Sequence, residues 1–292
     1  MTGPFLCLAD LRGGLLESPL WDDRRQLLFA CDIDTGLVLA LDLQGNTHGR
    51  WQFGQAVTAL GLGTSGALVV ALARSVLRFN PDTGAREVLW NGFDEPATSR
   101  LNDGKVGPDG AFWVGSMDGR PQREKISRLY RITADGTAEI KATGIEISNG
   151  LAWTADGRTM FHSDSRGPWI DRYDFDCSNG GLSNHRRIRE LDEASGRPDG
   201  GACDANGNYL SAGVSAGVLN LFSPEGALLD CYPFPVPAPT MPCFCGPGLT
   251  QLAVTSHRHV SAAQLAAAPQ SGGIFLARSG VAGAPVARMK GI

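Results

Sequence analysis

Four oxygen-bearing side chains occupy related positions in the sequence, and their types and spacing suggest chemistry. Asn102, Asn149 and Asp199 each lie seven residues before a turn-forming pair, which is Asp-Gly at 109 and 156 and Asn-Gly at 206. Glu17 precedes the first polar turn in a looser version of the same layout. A turn needs no fixed distance to the next turn, so the constant offset favours a shared structural position over ordinary turn formation.

These four side chains, brought together, would form a cation site. Two carboxylates in a narrow space repel one another unless a positive charge lies between them. An all-oxygen set suits Ca²⁺, Mg²⁺ or Mn²⁺, and it is also compatible with Zn²⁺ or Fe²⁺. The pattern therefore predicts one divalent metal ion and leaves its identity open. The five histidines show no metal-ligand spacing, and we interpret His257 and His259 as solvated or ordinary loop residues.

A repeated sheet would bring these positions together. Short apolar or alternating runs recur from residue 27 to residue 276, and Gly, Pro and Asp turn signals fill nearly every gap. The three aligned turns are 47 and 50 residues apart, close to the ~40–50 residues of a propeller blade. That period divides the 292 residues into about six blades. We therefore expect residues 1–292 to form a single all-β domain, a six-bladed β-propeller, in which equivalent residues of successive blades converge on the central channel.

Only one segment has good helical signals, and the large aromatic residues fit a strand core. Residues 261–268 read Ser-Ala-Ala-Gln-Leu-Ala-Ala-Ala, which predicts a short capped helix between late strands. Trp21, Trp113 and Trp153 lie where strands would bury them. The seven cysteines are scattered and are expected to be reduced, packed thiols. A redox or metal role stays open for the close pair Cys243 and Cys245.

Composition limits the kind of partner. Hydrophobic residues make up 42% of the chain, and 38 Gly and 17 Pro indicate a packed protein with many turns. A net charge of −4 lacks the basic surface that nucleic-acid binding requires, and no run approaches the ~18 apolar residues of a membrane span. We therefore expect a cytoplasmic monomer or small homo-oligomer that acts on a small molecule and binds neither nucleic acid nor a membrane.

Arginines near these positions suggest how a ligand could be held. Arg100 and Asn102 lie two residues apart on an extended segment and so point to the same side, where they would suit a polyhydroxylated ligand. The alternative is that Arg100 pairs with Asp103 and braces a loop. Arg120 and Arg123 lie in a polar loop that could cover the channel mouth. They are either solvated surface residues or contacts for an anionic substituent of the ligand, because arginine favours bidentate contact with carboxylate or sulfonate groups.

Five segments stand in an order that characterises one protein family. They are Glu-Ser-Pro-Leu-Trp at 17–21, Arg-Leu-Asn-Asp-Gly-Lys at 100–105, Gly-Ser-Met at 115–117, Ser-Asn-Gly-Leu-Ala-Trp at 148–153 and Arg-Pro-Asp-Gly-Gly at 197–201. In these segments the chain resembles the SMP-30/gluconolactonase/LRE family, which includes regucalcin and bacterial sugar lactonases. The resemblance implies a six-bladed propeller with one divalent metal bound by Glu17, Asn149 and Asp199, and with Arg100 and Asn102 contacting the sugar. Family members hydrolyse aldonolactones to sugar acids.

The expected reaction is therefore metal-dependent hydrolysis of a sugar lactone. The ion would polarise the lactone carbonyl, and Asp199 would orient or deprotonate the attacking water. Arg100 and Asn102 would hold the ring hydroxyls, with Arg120 as a further substrate contact. Two alternatives stay open: the same metal site could hydrolyse an organophosphate or another ester, or the propeller could bind Ca²⁺ or a protein partner without catalysis.

The chain departs from the family pattern in segments expected to form the walls of the site. Residues 215–218 read Ser-Ala-Gly-Val where relatives often carry Trp-Gly-Gly, and residues 243–248 read Cys-Phe-Cys-Gly-Pro-Gly in place of Cys-Ala-Phe-Gly-Gly. Residues 118–120 read Asp-Gly-Arg, in a region where some members place a carboxylate shortly after the Met. We therefore expect an intact metal site with walls that select a different substrate.

Overall fold

Six antiparallel sheets form the blades of a β-propeller. The computed structural model describes all residues, 1–292, and its first strand, β1 (Leu6–Ala9), belongs to the last blade. Blade I contains β2 (Leu16–Asp22), β3 (Leu27–Asp32), β4 (Leu37–Leu41) and β5 (Thr47–Gln52), and blade II contains β6 (Val57–Gly63), β7 (Leu68–Leu72), β8 (Val76–Phe79) and β9 (Arg86–Trp90). Blade III contains β10 (Ser99–Val106), β11 (Phe112–Asp118), β12 (Ser127–Ile132) and β13 (Ala138–Ile145). The predicted all-β, six-bladed fold is confirmed.

The remaining blades repeat this layout and close the ring. Blade IV contains β14 (Ser148–Trp153), β15 (Thr159–Asp164), β16 (Trp169–Asp176) and β17 (Gly181–Glu190), and blade V contains β18 (Pro198–Cys203), β19 (Tyr209–Gly213), β20 (Val218–Phe222) and β21 (Leu228–Pro233). Blade VI contains β22 (Pro239–Cys245), β23 (Gln251–Ser256), β24 (Ile274–Arg278) and the amino-terminal β1. Because β1 pairs antiparallel with β24, a strand from the amino-terminal part of the chain completes a blade built from late strands.

Helical structure is confined to blade VI. The helix α1 (Ala262–Ala267) begins where the sequence predicts, because the Ser261 side chain accepts a hydrogen bond from the Gln264 backbone and Gln264 reciprocates at the Ser261 backbone. A 3₁₀ turn spans Pro247–Leu249. No helix is long and apolar enough to cross a membrane.

The aligned turns that set the repeat all join an inner strand to its neighbour. Gly110, Gly157 and Gly207 lie in the loops after β10, β14 and β18, with φ angles of 81°, 69° and 83°. Side-chain-bearing residues rarely adopt this backbone region, so glycine is favoured there. The repeat visible in the sequence is therefore the spacing of equivalent hairpins in blades III, IV and V.

Every inner strand is interrupted near its first residues by a register irregularity. The interruptions lie between residues 17 and 20, 57 and 59, 101 and 104, 149 and 152, 198 and 201, and 239 and 242. A bulge bends the strand and re-aims its side chains. In blade IV it requires Gly150, with φ at 66°, because an added Cβ would lie 2.3 Å from the Tyr209 hydroxyl oxygen.

Apolar side chains fill the space between blades, and a carboxy-terminal segment covers one end of the channel. Trp21, Trp113 and Trp153 are buried, as predicted. The cysteines are all free; Cys243 and Cys245 are buried in the core, whereas two other cysteines are exposed. β25 (Arg288–Met289) pairs parallel with the end of β6, and Arg288 contacts Asp22 at 2.7 Å. The opposite end, where the inner strands begin, carries the polar residues.

Candidate active site

The starts of the inner strands surround a cavity of about 1000 Å³. Glu17 reaches it from β2, Asn102 from β10, Asn149 from β14 and Asp199 from β18. The structure thus brings together, from four blades, the three side chains that share the constant sequence offset and Glu17, which follows a looser version of it. Asn102 and Asn149 are buried, while Glu17 and Asp199 keep part of their surface open to the cavity.

A chain of hydrogen bonds fixes the two amides. Arg100 donates to Asn102 Oδ1 at 2.7 Å, and Asn102 Nδ2 donates to Asn149 Oδ1 at 3.2 Å. Asn149 Nδ2 donates to Ser165 Oγ at 2.7 Å, and this hydroxyl donates to the Pro198 carbonyl at 2.6 Å. Because Asn149 Nδ2 is held by Ser165, its Oδ1 is kept on the side from which Asn102 approaches. The network links blades III, IV and V just before Asp199.

Arg100 also donates to the Leu101 carbonyl at 2.8 Å. Its guanidinium makes no ion pair with Asp103, so the alternative interpretation of a loop-bracing pair between those two residues is wrong. Asp103 instead accepts a hydrogen bond from the Leu151 backbone N–H at 3.1 Å, and Lys105 Nζ donates to the Gly201 carbonyl at 2.7 Å. Both charged residues are buried along the channel, and the sequence analysis assigned Lys105 no role.

Two of the cavity carboxylates, Glu17 and Asp199, hold their protons more tightly than ordinary carboxylates. Burial raises the pKa of Glu17 well above its usual range, and the charge of Asp199 raises it further. Burial also raises the pKa of Asp199 to about 7, with the nearby Asp103 adding to the effect. Two acids in one buried site do not both lose their protons easily, and a positive charge placed between them would favour the ionised form of each.

The donor set fits a divalent cation. Glu17 and Asp199 offer carboxylate oxygens and Asn149 offers an oriented amide oxygen, which are the hard donors that Ca²⁺, Mg²⁺ and Mn²⁺ prefer. A bound cation would favour the charged form of both carboxylates and so oppose the burial and the neighbouring negative charges that raise their pKa values. No group of three or more His, Cys, Asp or Glu side chains is clustered for metal binding anywhere in the structure. A site here therefore depends on an amide oxygen as well as on the two acids.

Arg120 lies away from the cavity wall. Its guanidinium is held by the buried carboxylate of Asp118, with Nη2 at 2.7 Å and Nε at 2.9 Å from Oδ2. Glu124 lies 3.2 Å from the same guanidinium. Arg120 thus braces the loop between β11 and β12, and it is Arg123, three residues later, that lines the cavity.

Several further residues line the cavity and were missed or interpreted differently from sequence. Ser165 and Arg166 follow β15, and Arg197 precedes β18, so these residues occupy loops that share no repeat offset. His257 and His259 line the cavity as well, which corrects their interpretation as ordinary loop residues. Burial lowers the pKa of His257 to about 4, with His259 contributing.

Comparison with known proteins gives a consistent result. A sequence profile of the SMP-30/Gluconolactonase/LRE-like region matches residues 15–258. The chain is 34% identical over 285 residues to a 6-deoxy-6-sulfogluconolactonase from Pseudomonas putida, covering 97% of both chains. It is 28% identical over 286 residues to regucalcin from Gallus gallus, covering 96% of both. Among solved structures, a regucalcin from Agrobacterium tumefaciens, described as a calcium-binding protein, superposes with a TM-score of 0.89 at 23% identity, covering 98% of this chain and 97% of that one.

Proposed function

We propose that this chain, which belongs to the SMP-30/gluconolactonase/LRE-like family, hydrolyses a sugar lactone to the corresponding sugar acid. The observation that carries this proposal is the meeting of Glu17, Asn149 and Asp199 beside the Arg100–Asn102 pair in one open cavity. A lactone offers both things that such a cavity can use: an electrophilic carbonyl for the acidic end, and hydroxyl groups for the hydrogen-bonding wall.

We propose that Glu17, Asn149 and Asp199 hold one divalent cation, drawn from Ca²⁺, Zn²⁺, Mn²⁺, Mg²⁺ and Fe²⁺. The raised pKa values of the two carboxylates and the oriented amide support this assignment. The chemistry that a divalent cation supplies when bound is polarisation of the lactone carbonyl and acidification of a water beside it.

Asp199 is the residue best suited to move a proton. Its carboxylate is partly open to the cavity, and in its deprotonated form it can accept a proton from water there. The water oxygen then bonds to the lactone carbonyl carbon, the ring C–O bond breaks, and the ring oxygen leaves as a hydroxyl once it receives a proton. The product is a hydroxy acid, with no oxidant or reductant consumed.

Arg100 and Asn102 position the sugar. Arg100 faces the cavity and is aligned by its bond to Asn102, so its remaining N–H groups can donate to ring hydroxyls. Asn102 has its oxygen occupied by Arg100 and its amide hydrogens directed to Ser148 O and Asn149 Oδ1. Its contribution is therefore mainly to hold the side chains of Arg100 and Asn149 in position.

The test begins with elemental analysis of the purified protein and removal of metal with a chelator. Each of the five cations is then restored, and hydrolysis of a panel of aldonolactones is measured together with an organophosphate triester and a simple aryl ester. We expect hydrolysis of at least one aldonolactone that is lost on chelation and recovered with a cation. Asp199→Ala is expected to abolish turnover and weaken cation binding. Near-normal hydrolysis by that variant would refute the role assigned to Asp199. Hydrolysis confined to the triester or the aryl ester would refute the assignment of a lactone as the substrate.

Calcium binding without catalysis is the second candidate, because the solved Agrobacterium tumefaciens neighbour is described as a calcium-binding protein. The ordered Arg100–Asn102 pair beside the acidic residues counts against a purely structural site, which needs no ligand-facing guanidinium. Isothermal titration with Ca²⁺ combined with the lactone panel separates the two. Calcium binding with no hydrolysis under any metal condition would favour this second candidate.

A further inference from the structure

The cavity is lined by several arginines in addition to the residues of the proposed cation site. Four arginines line it, Arg100, Arg123, Arg166 and Arg197, and four carboxylates line it, Glu17, Asp34, Glu193 and Asp199. Two of those carboxylates belong to the proposed cation site. Once a divalent cation is bound, the arginines and the cation together exceed the carboxylates by two charges, so the loaded cavity attracts an anion.

Arg100 is held by Asn102, and two of the other three arginines lack a carboxylate partner. Arg123 donates from Nε to the Asp118 backbone carbonyl at 3.1 Å, while the carboxylate of Asp118 is engaged by Arg120. Arg166 is exposed at the cavity, and its guanidinium forms no ion pair. These two guanidinium groups are therefore free to bind a ligand.

Arg197 completes the group, although it has an acidic neighbour. Its Nη1 lies 3.3 Å from Glu193 Oε1, but the Glu193 side chain is 67% exposed, and such a solvated pair contributes little. The Arg197 backbone N–H donates to Ser215 Oγ at 2.8 Å, and Ser215 donates to the Glu193 carbonyl at 2.8 Å. Ser215 thus anchors the loop that presents Arg197.

The three guanidinium groups approach from three different blades. Arg123 comes from the loop between β11 and β12, Arg166 from the turn between β15 and β16, and Arg197 from the segment before β18. They line one cavity and lie close enough for their charges to interact: burial lowers the pKa of Arg123, the charges of Arg166 and Arg197 add to this effect, and the charge of Asp118 opposes it. Guanidinium groups that converge with only one solvated carboxylate partner among them are typical of a binding site for an anion.

We propose that Arg123, Arg166 and Arg197 form an anion subsite that binds a sulfonate or phosphate group carried by the lactone. A tetrahedral oxyanion offers three oxygens to three converging guanidinium groups, whereas one arginine already satisfies a planar carboxylate. This inference rests on the proposed lactonase function and adds to it the class of substrate: an anionic sugar lactone whose charged end lies among the arginines while its carbonyl lies at the acidic residues.

The test compares kcat and KM for gluconolactone with those for its 6-sulfo and 6-phospho counterparts. We expect the wild-type enzyme to prefer an anionic lactone. Arg123→Gln and Arg166→Gln should each lower kcat/KM for that substrate by about 10- to 100-fold, mainly through KM, because each removes a charge-assisted contact. Hydrolysis of neutral gluconolactone should change less than about twofold, since the residues near the carbonyl are intact. Arg186→Gln, an exposed arginine on β17, is the charge-matched control and should change neither substrate.

Failure of the subsite and failure of the lactonase function give different results. Equal use of neutral and anionic lactones by the wild type, or equal loss on both in the variants, would overturn the subsite and leave the lactonase proposal standing. No hydrolysis of any lactone would overturn the lactonase proposal itself. Inhibition of gluconolactone hydrolysis by inorganic sulfate and phosphate needs no variant: competitive inhibition supports the subsite, and its absence counts against it. The ratio of sulfo- to phospho-lactone turnover identifies which anion is used.

Discussion

Replacing Asp199 by Asn is expected to stabilise the metal-free protein at neutral pH while removing its activity. The carboxyl group has a pKa near 7 in the folded chain and about 3.8 when unfolded. Between those values the folded state binds more protons than the unfolded state, so stability falls as pH rises. The amide has no proton to lose in this range, and therefore Asp199→Asn escapes that loss.

The size of the effect follows from the pKa difference. From pH 5 up to the pKa near 7 the folded carboxyl group is mostly protonated and the unfolded group is not, and two units at ~1.36 kcal/mol each give ~2.7 kcal/mol. Water in the open cavity screens part of this, so we expect about 2 kcal/mol. The charge of Asp199 also raises the pKa of Glu17, so its removal relieves a second group with the same sign.

The assay is urea unfolding with excess chelator at pH 5, 6, 7 and 8. The free energy of unfolding of Asp199→Asn minus that of the wild type should grow by about 2 kcal/mol across this range. Asp230→Asn, at an exposed carboxylate on β21, is the control and should show no such growth. With a saturating divalent cation the order should reverse, because only the wild type gains binding energy. The reasoning would be refuted if, in chelator, the difference in free energy of unfolding between Asp199→Asn and the wild type stayed constant or fell as the pH rises. Either result would show that ionising Asp199 does not destabilise the folded protein.

Three further outcomes are expected. Ser165→Ala should lower cation affinity and kcat/KM by about 10- to 100-fold, because the Ser165 hydroxyl orients Asn149. Ser178→Ala, on an exposed turn, is the control and should change neither quantity. Equal effects of the two substitutions would contradict the orienting role of Ser165. Gly150→Ala should lower the free energy of unfolding by at least about 2 kcal/mol more than Gly144→Ala does. Both glycines have a positive φ, but only Gly150 has neighbouring atoms that an added Cβ would clash with, and thermal unfolding of the two variants tests this. At limiting cation concentration kcat/KM should rise with pH through about 7, as Asp199 loses its proton. A saturating cation should move that rise to lower pH, because the cation and the proton compete for the same carboxylate. A pH profile that is independent of cation concentration would count against binding of the cation by Asp199.

The fold was predictable because its repeat depends on backbone chemistry that is visible in the sequence. Gly110, Gly157 and Gly207 mark the same hairpin in successive blades, so their spacing reports the blade length directly. The bulge in each inner strand was not predictable, since residues 57–59 and 239–242 have little sequence in common yet bend alike. That bend is set by packing around the channel and is not encoded in any single residue type.

The site was predictable only where it follows the blade repeat. Asn149 and Asp199 share an offset from their turns, and the structure places both at the cavity. Arg120 and Arg123 lie three residues apart in one loop, and sequence alone does not show which of them the buried Asp118 holds. Ser165 lies in a loop with its own length and hydrogen bonds, so it carries no periodic signal. Specificity-determining loops of this kind vary independently of the scaffold that supports them.

The shared last blade makes the cavity depend on a contact between strands that are far apart in the chain. Leu6 pairs with Leu276, and β24 has no outer neighbour until β1 and β24 meet. Closing so long a loop is slow, and the open edges of an unfinished blade are prone to pairing with other chains. Because blade VI also supplies His257 to the cavity wall, a nascent chain has no complete pocket. We expect arrested chains to require chaperone protection, and ring closure to be the step at which the enzyme becomes competent.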